Sequence, residues 1–254
     1  MDNKVVLKNI IKKYLSIKGE TLALNNINLS IAEDEFVSIV GPSGCGKSTL
    51  LSIISGLISP NQGKVLIDNN LVNEIVPQIG YMLQQDYLFD WRTVYENVKL
   101  AFEIKKLVKS DTDKKILNIL DSYGLTNFIN HYPTSLSGGM RQRVALARTL
   151  VTNPEILLLD EPFSSLDYQT KLTLEEEMYK ILKTEKKTVI LVTHDIAEAI
   201  SMGDRVVILS QRPAVIKKII KISFPENTTP LEKRNIPKFQ KYFDKIWKEL
   251  DLDV

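Results

Sequence analysis

The chain has 254 residues, 44% of them hydrophobic and 25% charged, which is the composition of a globular protein with room for one large domain or two small ones. The formal net charge of +2 comes from 33 basic and 31 acidic residues that are interspersed along the chain, so no nucleic-acid partner is expected. No apolar stretch approaches the ~20 residues that span a bilayer, and the first residues lack a signal-peptide pattern. Its one cysteine, Cys45, cannot form an internal disulfide, and we expect a cytosolic protein.

Runs of apolar residues, separated by polar and turn-forming residues, predict an α/β fold. Short, partly alternating segments near the start predict an antiparallel edge sheet: Val5 to Leu7, Leu22 to Leu24 and Ile27 to Ile31. Four continuous runs of Val, Ile and Leu are typical of parallel strands buried on both faces: Val37 to Val40, Ile156 to Leu159, Val189 to Val192 and Val206 to Leu209. Helical patterns separate these runs, and between about 87 and 149 no strand interrupts them. The prediction is a mainly parallel sheet core with an antiparallel β subdomain and an inserted α-helical subdomain.

The last part of the chain, 223–254, predicts a separate amphipathic helix after the main domain at 1–222. Three prolines, at 225, 230 and 237, precede apolar residues at helical spacing from Phe239 to Leu250. We expect this helix to pack on its own domain, and binding to a partner or to a membrane surface is the alternative.

Nine residues near the amino end fill the phosphate-binding pattern G-x-x-x-x-G-K-[ST]: Gly41, Pro42, Ser43, Gly44, Cys45, Gly46, Lys47, Ser48 and Thr49. A buried strand precedes them and a helix follows, as the motif requires. The glycines let backbone N–H groups converge on a phosphate, and the helix N terminus adds donors and a positive dipole end. Lys47 supplies an ammonium group for the outer phosphates, and Ser48 offers a hydroxyl to Mg²⁺. A glycine-rich turn that happens to end in Lys-Ser is the alternative.

Two carboxylates, Asp160 and Glu161, end the buried run that starts at Ile156. They would be costly to bury unless a cation or hydrogen bonds meet them. Side chains alternate along an extended chain, so we expect Asp160 to face the metal and Glu161 to face a water, with Pro162 keeping Glu161 extended. Glu161 is then the general base for attack of that water on the γ-phosphate. A solvated pair at a strand end is the alternative.

A Ser-Gly-Gly turn stands directly before a helical pattern, at Ser137, Gly138 and Gly139. Such a turn makes a second potential anion site at a helix N terminus, because the first N–H groups of a helix lack partners. Taken alone, it is also an ordinary helix start.

Together these motifs resemble the nucleotide-binding subunit of an ATP-binding cassette (ABC) transporter, over nearly the whole chain to about Leu209. The segment from Leu136 to Gln142 is similar to the family signature. The segment from Ser164 to Asp167 is similar to the D-loop of the family, and the segment from Val192 to Asp195 is similar to its switch-histidine segment. The resemblance implies a P-loop NTPase (RecA-like) fold. The residues implied to form its ATP site are the nine residues of the phosphate loop, Gln84 of the Q-loop, Asp160, and Tyr14, whose ring is implied to stack on adenine.

The same resemblance implies the roles of individual side chains. The residues implied in catalysis are Lys47, Glu161 and His194, whose imidazole holds the γ-phosphate and the attacking water. The Mg²⁺ ligands are implied to be Ser48, Gln84 and Asp160, and Asp167 is the aspartate of the D-loop. The residues implied to contact the nucleotide of a partner subunit are Ser137, Gly138, Gly139 and Gln142.

In this family two subunits meet head to tail around two ATP molecules, so the resemblance implies a homodimer in the ATP-bound state. It further implies an integral-membrane permease that docks near Gln84 to Asn97, an indirect solute-binding protein, and a location at the cytoplasmic face of the membrane. The segment from Leu88 to Val98 resembles that of nitrate, sulfonate and taurine importer ATPases, as does Leu209 to Pro213, although Phe89-Asp90 and Ala214 depart from it. An exporter ATPase, a non-transport ABC ATPase and a non-hydrolysing binding module are the alternatives.

Overall fold

The computed structural model describes residues 3–17 and 19–250. The chain divides into two compact units, one made of residues 1–76 and 175–254 and the other of residues 77–174. The strands in chain order are β1 (Asn3–Ser16), β2 (Gly19–Ala32), β3 (Phe36–Val40), β4 (Gln62–Ile67), β5 (Asn70–Leu71), β6 (Ile79–Met82), β7 (Ile156–Asp160), β8 (Thr188–Val192), β9 (Arg205–Leu209) and β10 (Ile216–Lys221).

The α-helices in chain order are α1 (Lys47–Ile54), α2 (Val94–Ile104), α3 (Thr112–Ser122), α4 (Gly138–Leu150), α5 (Tyr168–Thr184), α6 (Ile196–Met202), α7 (Pro230–Arg234) and α8 (Pro237–Glu249). None of the helices in the described ranges is both long and apolar enough to cross a bilayer. Residues 1, 2, 18 and 251–254 lie outside the described residues. The outer ends of the two predicted regions, 1–222 and 223–254, therefore lie outside them as well.

In the first unit, β1, β2, β4 and β5 form the predicted antiparallel sheet, in the order β2-β1-β4-β5. The sequence predicts short strands here, whereas β1 and β2 each run for 14 residues. The ladder shifts register near Asn9, which has a φ of 53° and marks a β-bulge against both neighbouring strands. Because of this bulge, Ile10 is buried like Leu7 although the two are three positions apart.

A second sheet in the first unit holds three of the four predicted buried strands. Here β3 pairs in parallel with β8 on one side and with β9 on the other, and β10 adds to β9 in antiparallel orientation. All residues of β3 and β8 are buried, as the continuous Val, Ile and Leu runs predict. The mainly parallel core is thus confirmed, and β10 is an edge strand that the sequence did not reveal.

The C-terminal helix α8 packs within the first unit. Its residues Phe239 and Ile246, together with Leu250, join a buried cluster that includes Ile200 of α6 and Ile208 of β9. Burial of one apolar stripe of an amphipathic helix against its own unit is the arrangement that the spacing of these residues predicts.

The second unit combines a strand pair with a helical insertion. Strands β6 and β7 pair in parallel, and between them come α2, α3, α4 and two 3-10 turns at Thr126–Phe128 and Pro133–Ser135, with no strand. The buried Asn97 of α2 accepts a hydrogen bond from Phe89 N (2.8 Å) and donates to Phe89 O (3.1 Å), which fixes the loop before α2. The inserted helical subdomain is therefore confirmed.

Candidate functional site

The phosphate loop joins β3 to α1 within the first unit. Gly46 precedes α1 with a φ of 125°, a left-handed value that strains any residue with a Cβ, and a Cβ there would lie 2.8 Å from a methyl carbon of Leu24. No side chain among the described residues caps α1, and its first turn holds no acidic residue. The helix thus begins with N–H donors and a positive dipole end that suit a phosphate group.

Lys47 is held against the backbone of this loop. Its side chain is buried, and Nζ donates hydrogen bonds to the carbonyl oxygens of Gly41 (2.8 Å) and Pro42 (3.1 Å). Ser48, the next residue, is exposed. Cys45 is buried, and this burial raises the pKa of its thiol, an effect that Lys47 only partly offsets. Cys45 therefore packs as a neutral thiol, whereas Lys47 supplies a positioned positive charge.

Three parallel strands of the first unit end at one edge of the sheet, because β3 pairs with both β8 and β9. β3 leads into the phosphate loop, and β8 leads into Thr193 and His194. Thr193 N donates to Ile39 O at 3.1 Å, so the residue before His194 is paired with the strand that enters the loop. His194 is exposed rather than buried in the core, and Asp195 behind it caps α6. The first unit thus brings His194 and the phosphate loop to the same edge.

Tyr14 lies on β1, opposite Thr21 of β2. Its hydroxyl oxygen is 3.3 Å from Oγ1 of Thr49 in α1, and Lys12 Nζ lies 5.3 Å from the centroid of its ring. The side chain is 42% exposed. The structure therefore places this aromatic ring beside the helix that follows the phosphate loop.

Arg212 also contacts the phosphate loop, although the sequence did not single it out. Its Nη2 donates a hydrogen bond to the carbonyl oxygen of Gly44. The segment after β9 that carries Arg212 is fixed to β2, since Ala214 N donates to Ala23 O and Asn25 N donates to Ala214 O, both at 2.9 Å. The partners Arg212 and Gly44 are 168 positions apart, so only the fold reveals the contact.

We expect Arg212→Ala to weaken ATP binding about fivefold, because the exposed guanidinium contributes roughly 1 kcal/mol through a hydrogen bond that steadies the loop. Isothermal titration calorimetry with ATP measures this change. The neighbouring exposed residue Gln211, changed to alanine, is the matched control and should leave the affinity as it is. Equal affinities for the two variants would show that the contact does not support nucleotide binding.

In the second unit, Gln84 and Glu161 meet beyond the ends of β6 and β7. The two strands pair in parallel, so both end at the same edge. Nε2 of Gln84 donates to Oε2 of Glu161 at 3.3 Å. Asp160, the last residue of β7, is only 6% exposed and directly precedes Glu161. The second unit therefore brings these three predicted residues together.

The backbone at Glu161 differs from the prediction. Pro162 was expected to keep Glu161 extended, but Glu161 has a φ of 48°, in the left-handed region. Ser164 explains the difference, because its N–H and its hydroxyl both donate to the carbonyl oxygen of Glu161, at 3.2 and 3.0 Å, and close a tight turn. A non-glycine residue in this region is strained, and such strain is concentrated at functional sites.

The Ser-Gly-Gly turn begins α4 as predicted. Ser137 is the N-cap of the helix, and its Oγ accepts from Met140 N at 3.4 Å. Ser137 and Gly138 are exposed. Gln142, one turn further on, is buried, and its Oε1 has no hydrogen-bond partner among the described residues. The exposed start of the helix is therefore open to a ligand, whereas Gln142 points to the covered side of α4.

Asp167 and Gly139 both meet the first turn of α5 in the second unit. Oδ1 of Asp167 accepts from Thr170 N at 3.1 Å, and hydrogen bonds from the side chain and backbone of Thr170 lower the pKa of Asp167. A Cβ on Gly139 would lie 2.6 Å from Cγ2 of Thr170. Gly139 is thus required for the close approach of α4 to α5.

A half-buried ion pair links α4 to the segment after Gln84. Nε and Nη2 of Arg141 donate to the two carboxylate oxygens of Asp86, each at 2.8 Å, and Nη1 of Arg148 donates to Tyr87 O. Burial would raise the pKa of Asp86, but hydrogen bonds from Arg141 and from Leu88 N outweigh it, and the pKa lies below its ordinary value. Sequence reasoning missed this pair, since its members lie 55 positions apart.

The donors predicted for Mg²⁺ are oxygen atoms, namely the Ser48 hydroxyl in the first unit and the Gln84 amide and Asp160 carboxylate in the second. Hard oxygen donors, with few carboxylates, suit an Mg²⁺ ion that also binds phosphates and water. Within residues 3–17 and 19–250, no three His, Cys, Asp or Glu side chains form a cluster that could hold a metal by themselves. In each unit the predicted donors are thus of the kind that suits Mg²⁺.

Comparisons with known proteins find one family model, described as ABC transporter, that matches residues 24–164. The uncharacterized ABC transporter ATP-binding protein YtlC of Bacillus subtilis is 49% identical over 94% of this chain and 92% of its own length. The aliphatic sulfonates import ATP-binding protein SsuB of Bacillus thuringiensis is 42% identical over 87% of this chain and 88% of its own length. Among solved structures, the dimeric ATP-binding cassette MJ0796 in a post-hydrolysis state, bound to ADP and Pi, matches with a TM-score of 0.77 and 38% identity over 87% of this chain and 99% of that one.

Proposed function

Because the chain belongs to the ABC transporter family and is an ABC-type ATPase, we propose that it is the ATP-hydrolysing subunit of an importer, acting as a homodimer beneath a membrane permease. The observation that carries this proposal is the edge of the first unit, where the phosphate loop, His194 and Arg212 follow three adjacent parallel strands. Ligands of open parallel sheets bind at such an edge.

The predicted site residues of each unit have distinct proposed roles in ATP hydrolysis. In the first unit, Lys47 and the N terminus of α1 bind the phosphates, and the ring of Tyr14 stacks on adenine. In the second unit, Glu161 takes a proton from the attacking water, and the Gln84 amide orients its carboxylate. His194 holds the γ-phosphate and that water in place.

Mg²⁺ is the divalent ion that fits this site best, with Ser48, Gln84 and Asp160 as its protein ligands. When bound, it supplies positive charge that neutralises the phosphate oxygens. The position of Asp160 supports this assignment, because it ends a parallel strand, where ligands of such sheets bind, and its carboxylate is a hard oxygen donor.

Dimerisation would place Ser137 and Gly139 of one subunit on the γ-phosphate held by the other. The exposed N terminus of α4 supports this role, since a helix N terminus attracts anions. A solved relative, the cassette MJ0796, is described as dimeric. Loss of the γ-phosphate removes the shared contact, so the dimer opens after hydrolysis and can drive a change in the permease.

The permease would dock on an aromatic surface made by Tyr87, Phe89 and Trp91 of the second unit. Trp91 is 73% exposed and Tyr87 is 57% exposed, and the rings of Phe89 and Trp91 lie 4.8 Å apart. Exposed aromatic side chains of this kind are typical anchors of protein interfaces. The import direction rests on the resemblance to the aliphatic sulfonates import protein SsuB. A subunit docked on a permease in this way would be a peripheral protein at the cytoplasmic face of the membrane.

We expect Trp91→Ala to weaken binding to the proposed permease partner about 30-fold, since truncating an aromatic anchor typically costs about 2 kcal/mol. Co-purification and surface plasmon resonance with the detergent-solubilised permease measure the change, and solute-stimulated ATPase activity should fall with it. Tyr132→Ala removes another exposed ring of the same unit and is the control. A permease that binds both variants equally well would place the docking surface elsewhere.

A further inference from the structure

A cavity of about 650 Å³ opens in the first unit, away from the phosphate loop. Its walls are the C-terminal half of α5, the residues before β9, the end of β10 with the loop that follows it, and α7. The volume lies within the roughly 300–1,000 Å³ that small-molecule sites occupy. We name it the lysine pocket, because Lys180, Lys183, Lys221 and Lys233 line it.

Lys233 is the buried group of this pocket. Its side chain is 6% exposed, and Nζ donates to Ser201 O (2.7 Å) and to the Tyr179 hydroxyl (3.1 Å). The ammonium also lies 4.4 Å from the ring centroid of Tyr179 and 5.9 Å from that of Phe224. Among the described residues it has no carboxylate within ion-pair distance. A buried ammonium that has only neutral partners is short of negative charge.

Two of the acids near the pocket, Asp204 and Glu176, are already engaged by other groups, and a third, Glu226, is part of its loop wall. Asp204 accepts hydrogen bonds from Lys183 Nζ, at 3.0 Å to each oxygen, and from Phe36 N at 2.9 Å. Glu176 pairs with Lys180 at 3.6 Å and accepts from Leu231 N at 3.2 Å. The wall holds four lysines against two acids, Asp204 and Glu226, and therefore keeps an excess of positive charge.

Burial is the main influence on the protonation of the two central side chains of the pocket. Burial lowers the pKa of Lys233 to about 8, although Asp204 acts in the opposite direction. Burial and the nearby carboxylates of Asp204 and Glu176 raise the pKa of Tyr179 to about 12, so its hydroxyl remains a donor at neutral pH. An anion in the cavity would relieve the shortage of negative charge at Lys233.

The cavity also has an apolar wall. The ring of Phe224 lies beside those of Phe239 and Tyr242, with centroids 6.4 and 5.7 Å away, so it is held in place. Ile222, also in the wall, is buried. A ligand that matches both walls must combine a charged group with an apolar body.

We propose that the lysine pocket binds a small organic anion, whose carboxylate or sulfonate group meets the ammonium of Lys233 while its apolar body packs against Phe224. Lys221, which is exposed at the end of β10, attracts the anion to the opening. This site is separate from the ATP site and does not depend on the proposed direction of transport.

Calorimetry on the full chain with benzoate and benzenesulfonate tests the proposal. Both aryl anions should bind, whereas benzyl alcohol, which has the same ring without a charge, and inorganic sulfate, which has the charge without a ring, should bind at least about tenfold more weakly. Lys233→Met should reduce benzoate affinity at least about tenfold, because it removes the ammonium and keeps an apolar side chain of similar length. If neither benzoate nor benzenesulfonate binds to the parent protein, the proposal is wrong.

Three further variants locate the bound anion. Lys221→Glu changes only an exposed side chain and should weaken benzoate binding about threefold, so it tests the pocket even where Lys233→Met folds poorly. Lys245→Met, on the exposed side of α8, and Lys47→Ala, in the phosphate loop, should leave benzoate binding unchanged. Loss of binding in Lys47→Ala would place the anion at the nucleotide site and refute the assignment.

The pH dependence provides an independent readout. Lys233 faces Tyr179, Glu176 and Lys183 on α5 and Asp204 before β9, and Lys221 and Glu226 also line the pocket. Burial lowers the pKa of Lys233 to about 8. Benzoate affinity should therefore be constant below about pH 8 and fall up to about tenfold per pH unit above it, as the ammonium loses its proton. An affinity that does not change between pH 7 and pH 10 would exclude Lys233 as the anion's partner.

Discussion

Lys47→Ala is expected to weaken ATP binding at least about 30-fold, since one charge-assisted hydrogen bond to a phosphate contributes about 2 kcal/mol. In the structure, the Lys47 ammonium already lies at the loop, bonded to Gly41 O and Pro42 O. Phosphate oxygens can replace these carbonyl oxygens as acceptors with little movement of the side chain. The affinity lost in the variant therefore reflects a positive charge that the loop keeps in position.

Titration calorimetry with ATP and Mg²⁺ gives the affinity of the variant, and circular dichroism during heating shows whether it still folds. Lys64→Ala, which removes an exposed lysine of β4, is the matched control and should bind ATP like the parent. If Lys47→Ala holds and hydrolyses ATP as well as the control does, the phosphate-loop assignment is wrong.

Glu161→Gln is expected to reduce kcat by a factor of about 10²–10⁴, the range that a general base contributes, while ATP still binds. Glutamine keeps the size of the side chain and an oxygen that can accept the hydrogen bond from Gln84. It cannot take a proton from water. Because hydrolysis stops after ATP binds, the ATP-bound dimer should accumulate.

Single-turnover assays measure the chemical step, and light scattering after gel filtration with ATP measures the dimer. Glu74→Gln, which neutralises an exposed glutamate before β6, is the control and should retain both the turnover and the monomer–dimer balance of the parent. Undiminished turnover in Glu161→Gln would assign the base to another residue. Hydrolysis lost together with ATP binding would indicate a structural role instead.

The sequence predicted best what depends on local patterns. Continuous runs of Val, Ile and Leu located β3, β7, β8 and β9, because a strand covered on both faces must be apolar at every position. The edge strand β10, from Ile216 to Lys221, was missed because lysines alternate irregularly with its isoleucines. Propensity alone does not distinguish such a segment from a loop.

Contacts between distant positions account for most of what sequence reasoning missed at the candidate site. The bonds of Arg212 to Gly44 and of Arg141 to Asp86 depend on the fold and have no local signature. The left-handed backbone of Glu161 was missed for another reason: a residue before proline favours an extended conformation, and the turn closed by Ser164 overrides that preference. Lys233 occurs among other charged residues, in a pattern typical of a solvent-exposed helix, yet it is buried.

The bulge at Asn9 makes the position of the Tyr14 ring depend on the number of residues in β1. Side chains alternate along a strand, so Tyr14 shares a face with Ile10, and the bulge brings Ile10 to the face of Leu7. Deleting Asn9 would turn Tyr14 to the opposite face, away from Thr49, without changing the ring itself. If the Tyr14 ring stacks on adenine as proposed, a one-residue deletion in β1 would therefore weaken nucleotide binding while leaving every residue of the phosphate loop unchanged.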